Sequence, residues 1–352
     1  MSPVGGPRLL VLDDREGLVG TAPGMAALRQ LCEVTVLDRP LADVPDAELA
    51  DVRFLLAIRE RTRLDVATLA RLPALELVLQ TGSHAYHVDA GELRRRGVVT
   101  ALGRRARVAR SAVPELTFLL MLACMRRAGE ASRSMAAGEW PSLVGRVLAG
   151  RRLGVLGLGR LGRGVARLGA AFGMEVVAWD RIGDRDATAA AGGRDGPAGI
   201  GLLPLDTLLA TADVLSVHLR LTEQSRGLLG RRQLRAMKPG SVLVNTARGA
   251  VVDEDALVDV LRSGPLAAAG LDVFSEEPLP ADHPLRALPN AVLTPHVGWT
   301  VEESFGEFAA IAGEQVADYL AGRLDREELL DPDVEPVEGA LGGLLPARRL
   351  SW

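Results

Sequence analysis

Two cysteines in 352 residues, Cys32 and Cys124, are too few and too far apart for a disulfide framework or a paired metal site, and they fit a reducing compartment, the cytosol. Aromatic residues make up 3% of the chain and histidines number five, so a histidine in a constrained setting stands out. No strong charge of either sign is present. The net charge of −4 excludes a global pull toward nucleic acid or an anionic membrane surface. The longest apolar run, LTFLLMLACM at 116–125, is about half of what a bilayer crossing needs. The amino terminus, MSPVGGPRLLVLDD, leads directly into a strand-like segment, so neither a signal peptide nor a membrane anchor is expected. What is there is a chain 48% hydrophobic and 24% charged, long enough for two cores.

Short apolar runs alternate with helix-like stretches: RLLVLDD, EVTVLD, RFLLAI and LELVLQ in the first third, then RRLGVLG, EVVAWD, DVLSVHL, SVLVNTA, AAAGLDV and AVLTPH from about 150. Such alternation implies βαβ units and two α/β modules with mostly parallel sheets. Between them, 111-SAVPELTFLLMLACMRR-127 reads as a connecting helix. The Gly-, Ala- and Asp-rich stretch 181–201 reads as a surface excursion, and 331–352 as a carboxy-terminal extension.

The strongest single motif is 157-GLGRLG-162, with a strand before it, a helix after it and a second strand, EVVAW, ending at Asp180. Gly157 permits the turn, Gly159 lets the backbone approach a pyrophosphate, and Gly162 lets helix and strand pack closely. The helix N-terminus offers unpaired N–H groups to the anion. Asp180 lies eighteen residues past Gly162, where a carboxylate accepts hydrogen bonds from the adenosine ribose and repels a 2′-phosphate. That favours NAD over NADP, with Arg181 alongside as a partial offset.

Three further segments each follow a strand of the same expected sheet. NTARG places Arg248 where a guanidinium can grip a carboxylate through two parallel hydrogen bonds. GLDVFSEEPL carries Asp272, Glu276 and Glu277, and TPHVGWT holds His296 between a proline and a glycine that constrain its backbone. Strand carboxyl ends are where open parallel sheets bind ligands, so the loops at 248, 277 and 296 are expected to converge.

GLGRLG, KPGSVLVNTARG, GLDVFSEEP and LTPHVGWT, in this order, resemble the D-isomer-specific 2-hydroxyacid dehydrogenases. The likeness is dense from about 145 to 300 and extends into the first half through LAIRERTRL, LVLQTGSHAYHVD and SAVPELTFLLMLACMRR. It implies a flavodoxin-like substrate domain at 1–110 plus 299–330 and a Rossmann NAD-binding domain at 111–298. The first would close over the second. It also implies hydride exchange between NAD(H) and a D-2-hydroxyacid or 2-oxoacid, a homodimer formed through the cofactor domain, and no metal.

By the same resemblance, Arg248 binds the substrate carboxylate and carbonyl, and Glu277, which immediately precedes the proline, is the partner of His296. His296 is the acid/base, because the alkoxide left by hydride transfer must be protonated as it forms. Reduction then needs the imidazolium and oxidation the neutral ring. The resemblance puts Arg160, Leu161, Thr117, His218, Thr246, Ala247, Asp272 and Gly298 on the cofactor beside the three glycines and Asp180. It puts Thr81, Gly82, Ser83, His84 and Arg59 on the substrate. The loop 80-QTGSHAYHVD-89 is bulkier than the usual glycine-rich pattern, so His84 either packs or meets substrate. Arginines at 59, 61, 104, 105, 107 and 110 favour a substrate with a second anionic group if two of them point inward. Arg220 stands where a proline is usual, and Trp299 either walls the pocket or belongs to the core. A dinucleotide-responsive regulator of the co-repressor kind is the alternative on this fold, and formate- or phosphite-oxidising enzymes are alternatives within it.

Overall fold

The computed structural model describes residues 6–179, 194–195 and 200–346. The chain divides into two compact units, one comprising Met1–Val108 and Val301–Trp352, the other Ala109–Thr300.

In the first unit, β1 (Arg8–Leu12), β2 (Glu33–Val36), β3 (Val52–Ala57), β4 (Leu77–Gln80) and β5 (Val99–Leu102) form a parallel sheet in the order β2-β1-β3-β4-β5. This is the flavodoxin-like order. The strands β1, β3, β4 and β5 are buried almost end to end, which explains their unbroken apolar sequences. Leu10, Leu12, Leu49, Leu55, Leu69, Val78 and Leu93 make the core on one side. The helix Glu302–Leu320 returns to this unit and packs on the helix Met25–Leu31. The segment after it stays with the same unit, since Leu330 N–H donates to Thr100, Leu341 N–H to Glu76 and Gly343 N–H to Tyr319. The residues read as an extension are therefore pinned to this unit as far as 346.

In the second unit, β6 (Arg152–Leu156), β7 (Glu175–Trp179), β8 (Arg194–Asp195), β9 (Gly201–Leu202), β10 (Val214–Val217), β11 (Val242–Asn245), β12 (Ala268–Leu271) and β13 (Ala291–Leu293) form one sheet. Its order is β13-β12-β11-β10-β6-β7-β9-β8, parallel except for β8 against β9. The run from β9 to β12 has the Rossmann order, with its switch point between β6 and β10. The helix Ala109–Arg126 belongs to this unit and packs on β11, β12 and the helix Arg160–Ala171. Leu156 pairs with Val217, Val217 with Asn245, Asn245 with Leu271 and Leu271 with Leu293, so these strands end level with one another. Gly157, His218, Thr246 to Arg248, Asp272 and Thr294 to His296 therefore emerge in sequence along one sheet edge. Among the described residues no helix is long and apolar enough to cross a membrane.

Candidate active site

At the switch point Gly157 has φ 101, a left-handed backbone that favours glycine. A Cβ on Gly162 would lie 2.0 Å from the Gly157 carbonyl oxygen, so no side chain fits there. A Cβ on Gly159 would meet nothing within 4 Å. Gly159 is also the N-cap of the helix Arg160–Ala171 and provides no side-chain cap. The amides of this first turn, including those of Arg160 and Leu161, thus border open space, as a pyrophosphate requires. On the adjoining strand, the His218 carbonyl oxygen would lie 3.0 Å from a Cβ on Gly157. Part of His218 reaches the surface, but its ring is shut from water. Nε2 contacts Ser216 Oγ at 2.7 Å, while buried Nδ1 has no hydrogen-bond partner among the described residues. Burial pushes this imidazole down to about 4, which keeps it neutral. The open glycine turn and an orphaned nitrogen beside it fit a dinucleotide.

The next loop is shaped from within. Asn245, the last residue of β11, accepts the Ala247 N–H at 3.0 Å and donates to the Arg248 carbonyl at 3.0 Å, bending the backbone outward at Arg248. Thr246 Oγ1 lies 2.9 Å from Thr117 Oγ1, tying this loop to the long helix. Arg248 is half-buried and donates from Nη1 to the Ala247 carbonyl at 2.6 Å. A Cβ on Gly249 would fall 1.9 Å from the Phe274 carbonyl carbon, so the Arg248 loop lies directly on the loop that carries Glu277. Asn245 escaped the sequence reading. An asparagine at a strand end before a tight turn was the available signal.

Asp272 is 1% exposed, and its carboxylate organises the histidine loop. Oδ1 accepts from Thr294 Oγ1 at 2.6 Å and from Val297 N–H at 2.9 Å, and Oδ2 accepts from Gly298 N–H at 2.9 Å. Burial raises the Asp272 carboxyl above the ordinary range despite these bonds. The three contacts straddle His296, whose φ of 55 is unusual for a residue with a Cβ. The resulting backbone aims the ring at Glu277, with Nδ1 2.7 Å from Oε2. A carboxylate only accepts, so Nδ1 carries the hydrogen and Nε2 is the atom left to exchange a proton with substrate. Glu277 Oε1 accepts the Phe274 N–H at 2.9 Å. Burial works to raise the Glu277 carboxyl, but the hydrogen bond and charge of His296, the Phe274 amide and the Arg248 charge together hold it below its usual value. Arg248, Glu277 and His296 are thereby brought together, with Thr117, Thr246, Ala247, Asp272, Gly298 and His218 along the same edge.

In the first unit, the Ala57–Gln80 register sets the ends of β3 and β4 side by side. Arg59, at φ 59, donates its N–H to Thr81 Oγ1 at 2.9 Å, and its guanidinium lies 3.4 Å from where a Cβ on Gly82 would be. Ser83 is half-buried, and His84 stacks on Tyr86 with ring centroids 5.4 Å apart. Arg59 also pairs with Glu60 at 3.6 Å, and other arginines of the unit are likewise occupied. Arg61 holds Glu16 through two bonds at 2.6 and 2.7 Å, and Arg105 bridges Glu314, Asp318 and Glu328. Arg220 is exposed, its carbonyl accepting from Ser225 Oγ, and Trp299 is buried. Asp180 lies outside the described residues.

The family profile for the NAD-binding domain of D-isomer-specific 2-hydroxyacid dehydrogenases matches residues 118–298. A D-3-phosphoglycerate dehydrogenase of Mycobacterium leprae is 37% identical over 324 residues, 90% of this chain but 57% of the relative, so the chain spans little over half of that protein. A glyoxylate/hydroxypyruvate reductase B of Pectobacterium atrosepticum is 37% identical over 318 residues, 88% of this chain and 94% of the relative. The crystal structure of D-lactate dehydrogenase from Aquifex aeolicus, complexed with NAD and lactic acid, is similar with a TM-score of 0.72 and 25% identity, covering 90% of this chain and 96% of that one. With its Rossmann glycine turn and its matched length, the chain belongs to the D-isomer-specific 2-hydroxyacid dehydrogenases, oxidoreductases built on an NAD-binding domain.

Proposed function

We propose that this chain interconverts a 2-oxoacid and a D-2-hydroxyacid, with Arg248 binding the substrate carboxylate and carbonyl and His296 moving the proton. The observation that carries this reading is the 2.7 Å contact between His296 Nδ1 and Glu277 Oε2 on the sheet edge that also bears the glycine turn. The nicotinamide, when bound, supplies or takes the hydride. The amides from Gly159 to Gly162 would hold the pyrophosphate, and His218, Thr117, Thr246, Ala247, Asp272 and Gly298 would border the rest of the cofactor. Arg248 draws electron density from the carbonyl through its guanidinium and fixes the carboxylate by paired hydrogen bonds. His296 Nε2 protonates the oxygen as its charge develops, and Glu277 favours the imidazolium and fixes the tautomer. The family resemblance assigns substrate contacts to Thr81, Gly82, Ser83, His84 and Arg59 of the first unit. Arg59, Arg61 and Arg105 each lie against a carboxylate of their own unit, Glu60, Glu16 and Glu328, so the substrate panel alone decides whether a second anionic group is accepted.

The active form is a homodimer in the cytosol. Support for the dimer is the exposed apolar surface of the second unit, where Trp140 is 86% and Val144 83% exposed, with Leu119, Met135 and Val147 also open. Support for the compartment is that Cys32 and Cys124 are free thiols buried in the core. The decisive experiment is a panel of 2-oxoacids, with and without a second anionic group, offered with NADH and with NADPH, alongside a mass measurement in solution. Turnover of none of them by the folded protein removes the catalytic reading in favour of a dinucleotide-binding regulator.

A further inference from the structure

Glu254 opens the helix Glu254–Ser263, six positions beyond Arg248. Its Oε1 accepts the Ser275 N–H at 2.6 Å, and its Oε2 lies 3.7 Å from His283 Nε2. Both side chains are largely enclosed, at 14% and 20% exposure. The His283 ring is itself oriented, because Nδ1 accepts the Leu285 N–H at 3.3 Å. In the neutral ring the hydrogen therefore sits on Nε2, facing Glu254.

Ser275 stands two residues before Glu277, and the preceding amide, Phe274 N–H, donates to Glu277 Oε1. Two consecutive N–H groups are thus taken by two different carboxylates. One bond fixes the Glu277 side chain, and the other fixes the peptide plane from which its loop departs. Gly249 closes on the same plane, with a Cβ there 2.4 Å from Ser275 N. Residues 275–278 are otherwise exposed, and an exposed loop without such ties samples many positions.

We propose that Glu254 is a positioning residue for the acid/base pair. It holds the 274–275 backbone so that Glu277 Oε2 stays on His296 Nδ1, and His283 backs its second oxygen. Glu254 acts through Glu277 and contacts neither substrate nor cofactor; the inference rests on the assignment of Glu277 and His296 as that pair.

The test measures kcat and KM with the best 2-oxoacid of the panel, and the NADH dissociation constant by fluorescence, in Glu254→Ala, Glu254→Gln, Glu277→Gln and the Glu254→Ala/Glu277→Gln double variant. Glu254→Ala is expected to lower kcat by about 10- to 100-fold while NADH binding stays within about two-fold, because a misplaced general acid loses much of its effect. Glu254→Gln keeps the acceptor oxygen and is expected to restore kcat to within about three-fold of the parent. In the Glu277→Gln background, Glu254→Ala should cost less than about two-fold, since residues acting through one another are not additive. Should Glu254→Ala not fold, Glu254→Met, which keeps the side-chain bulk and deletes the acceptor, takes its place with the same expected loss. A Glu254→Ala enzyme within two-fold of the parent, a Glu254→Gln enzyme as slow as Glu254→Ala, or full additivity with Glu277→Gln overturns the proposal. If Glu277→Gln is itself as fast as the parent, the acid/base assignment fails first; if it is slow and Glu254→Ala is not, only the role of Glu254 falls.

Discussion

Gly249 faces the Phe274 carbonyl so closely that a methyl group on its α-carbon would lie 1.9 Å from the carbonyl carbon and 2.2 Å from the oxygen. One loop brings Arg248 and the other Glu277, so this contact sets the spacing between guanidinium and carboxylate. Gly249→Ala must push the loops apart, because backbone on both sides cannot yield as a flexible side chain can. The expected outcome is a kcat/KM reduced by at least about ten-fold, together with a lowered melting temperature from a loss of about 1–3 kcal/mol. Thermal unfolding and steady-state kinetics on one preparation check both.

The three glycines of the turn separate by what a methyl group would meet. Gly162→Ala places a Cβ 2.0 Å from the Gly157 oxygen, so the variant should unfold at lower temperature even without cofactor. Gly159→Ala meets no protein atom within 4 Å, so the apo protein should melt as the parent does. That open space is where the pyrophosphate is expected, so Gly159→Ala should weaken NADH binding by about ten-fold or more. Calorimetry without cofactor and fluorescence titration with NADH distinguish the two. A Gly159→Ala protein that binds NADH as tightly as the parent would move the pyrophosphate elsewhere.

Local chemistry made the sheets and the glycine turn legible, while long-range geometry stayed hidden. Apolar runs such as RLLVL and SVLVN fix strands, and GLGRLG between strand and helix fixes the turn, because each feature depends on neighbours in sequence. The level strand ends turned three distant loops into one edge, as the alternation of strands and helices implied. The work of Asp272 was not readable. Whether a carboxylate faces a nicotinamide or gathers Thr294, Val297 and Gly298 depends on a loop more than twenty residues away. The arginines at 61 and 105 were equally opaque, since their partners Glu16 and Glu314 become neighbours only on folding.

His296 and Glu277 make separable contributions. His296→Gln should lower 2-oxoacid reduction by about 10²–10⁴-fold with NADH binding kept, the range expected for loss of a general acid. For Glu277 the folded carboxyl sits below its usual 4.5, so the native state gives up this proton at lower pH than the unfolded chain does. The stabilisation is then complete above that ordinary value and is lost as pH falls through the lowered one. Denaturant unfolding across the acid range should show the parent losing stability more steeply than Glu277→Gln. Equal slopes would mean that the carboxylate gains nothing from His296 and Arg248.

His218 gives a second pH dependence of the same sign from the opposite kind of group. Burial pushes its imidazole down to about 4, whereas the unfolded chain binds the proton near 6.5. Between these values the unfolded state carries more protons than the native state, so stability rises with pH across the window and falls as the solution is acidified. A depression of this size corresponds to roughly 3 kcal/mol over the full interval. His218→Gln, which keeps a polar side chain near Ser216 but cannot titrate, should flatten the stability profile between pH 6.5 and 4. Glu277→Gln should instead change it mainly below 4.5. NADH should sharpen the contrast if it contacts the buried Nδ1, because a cofactor bound to the neutral ring further opposes protonation. Urea midpoints at half-unit pH steps, with and without NADH, decide this. A parent profile indistinguishable from His218→Gln would show that the ring takes up its proton in the native state without cost.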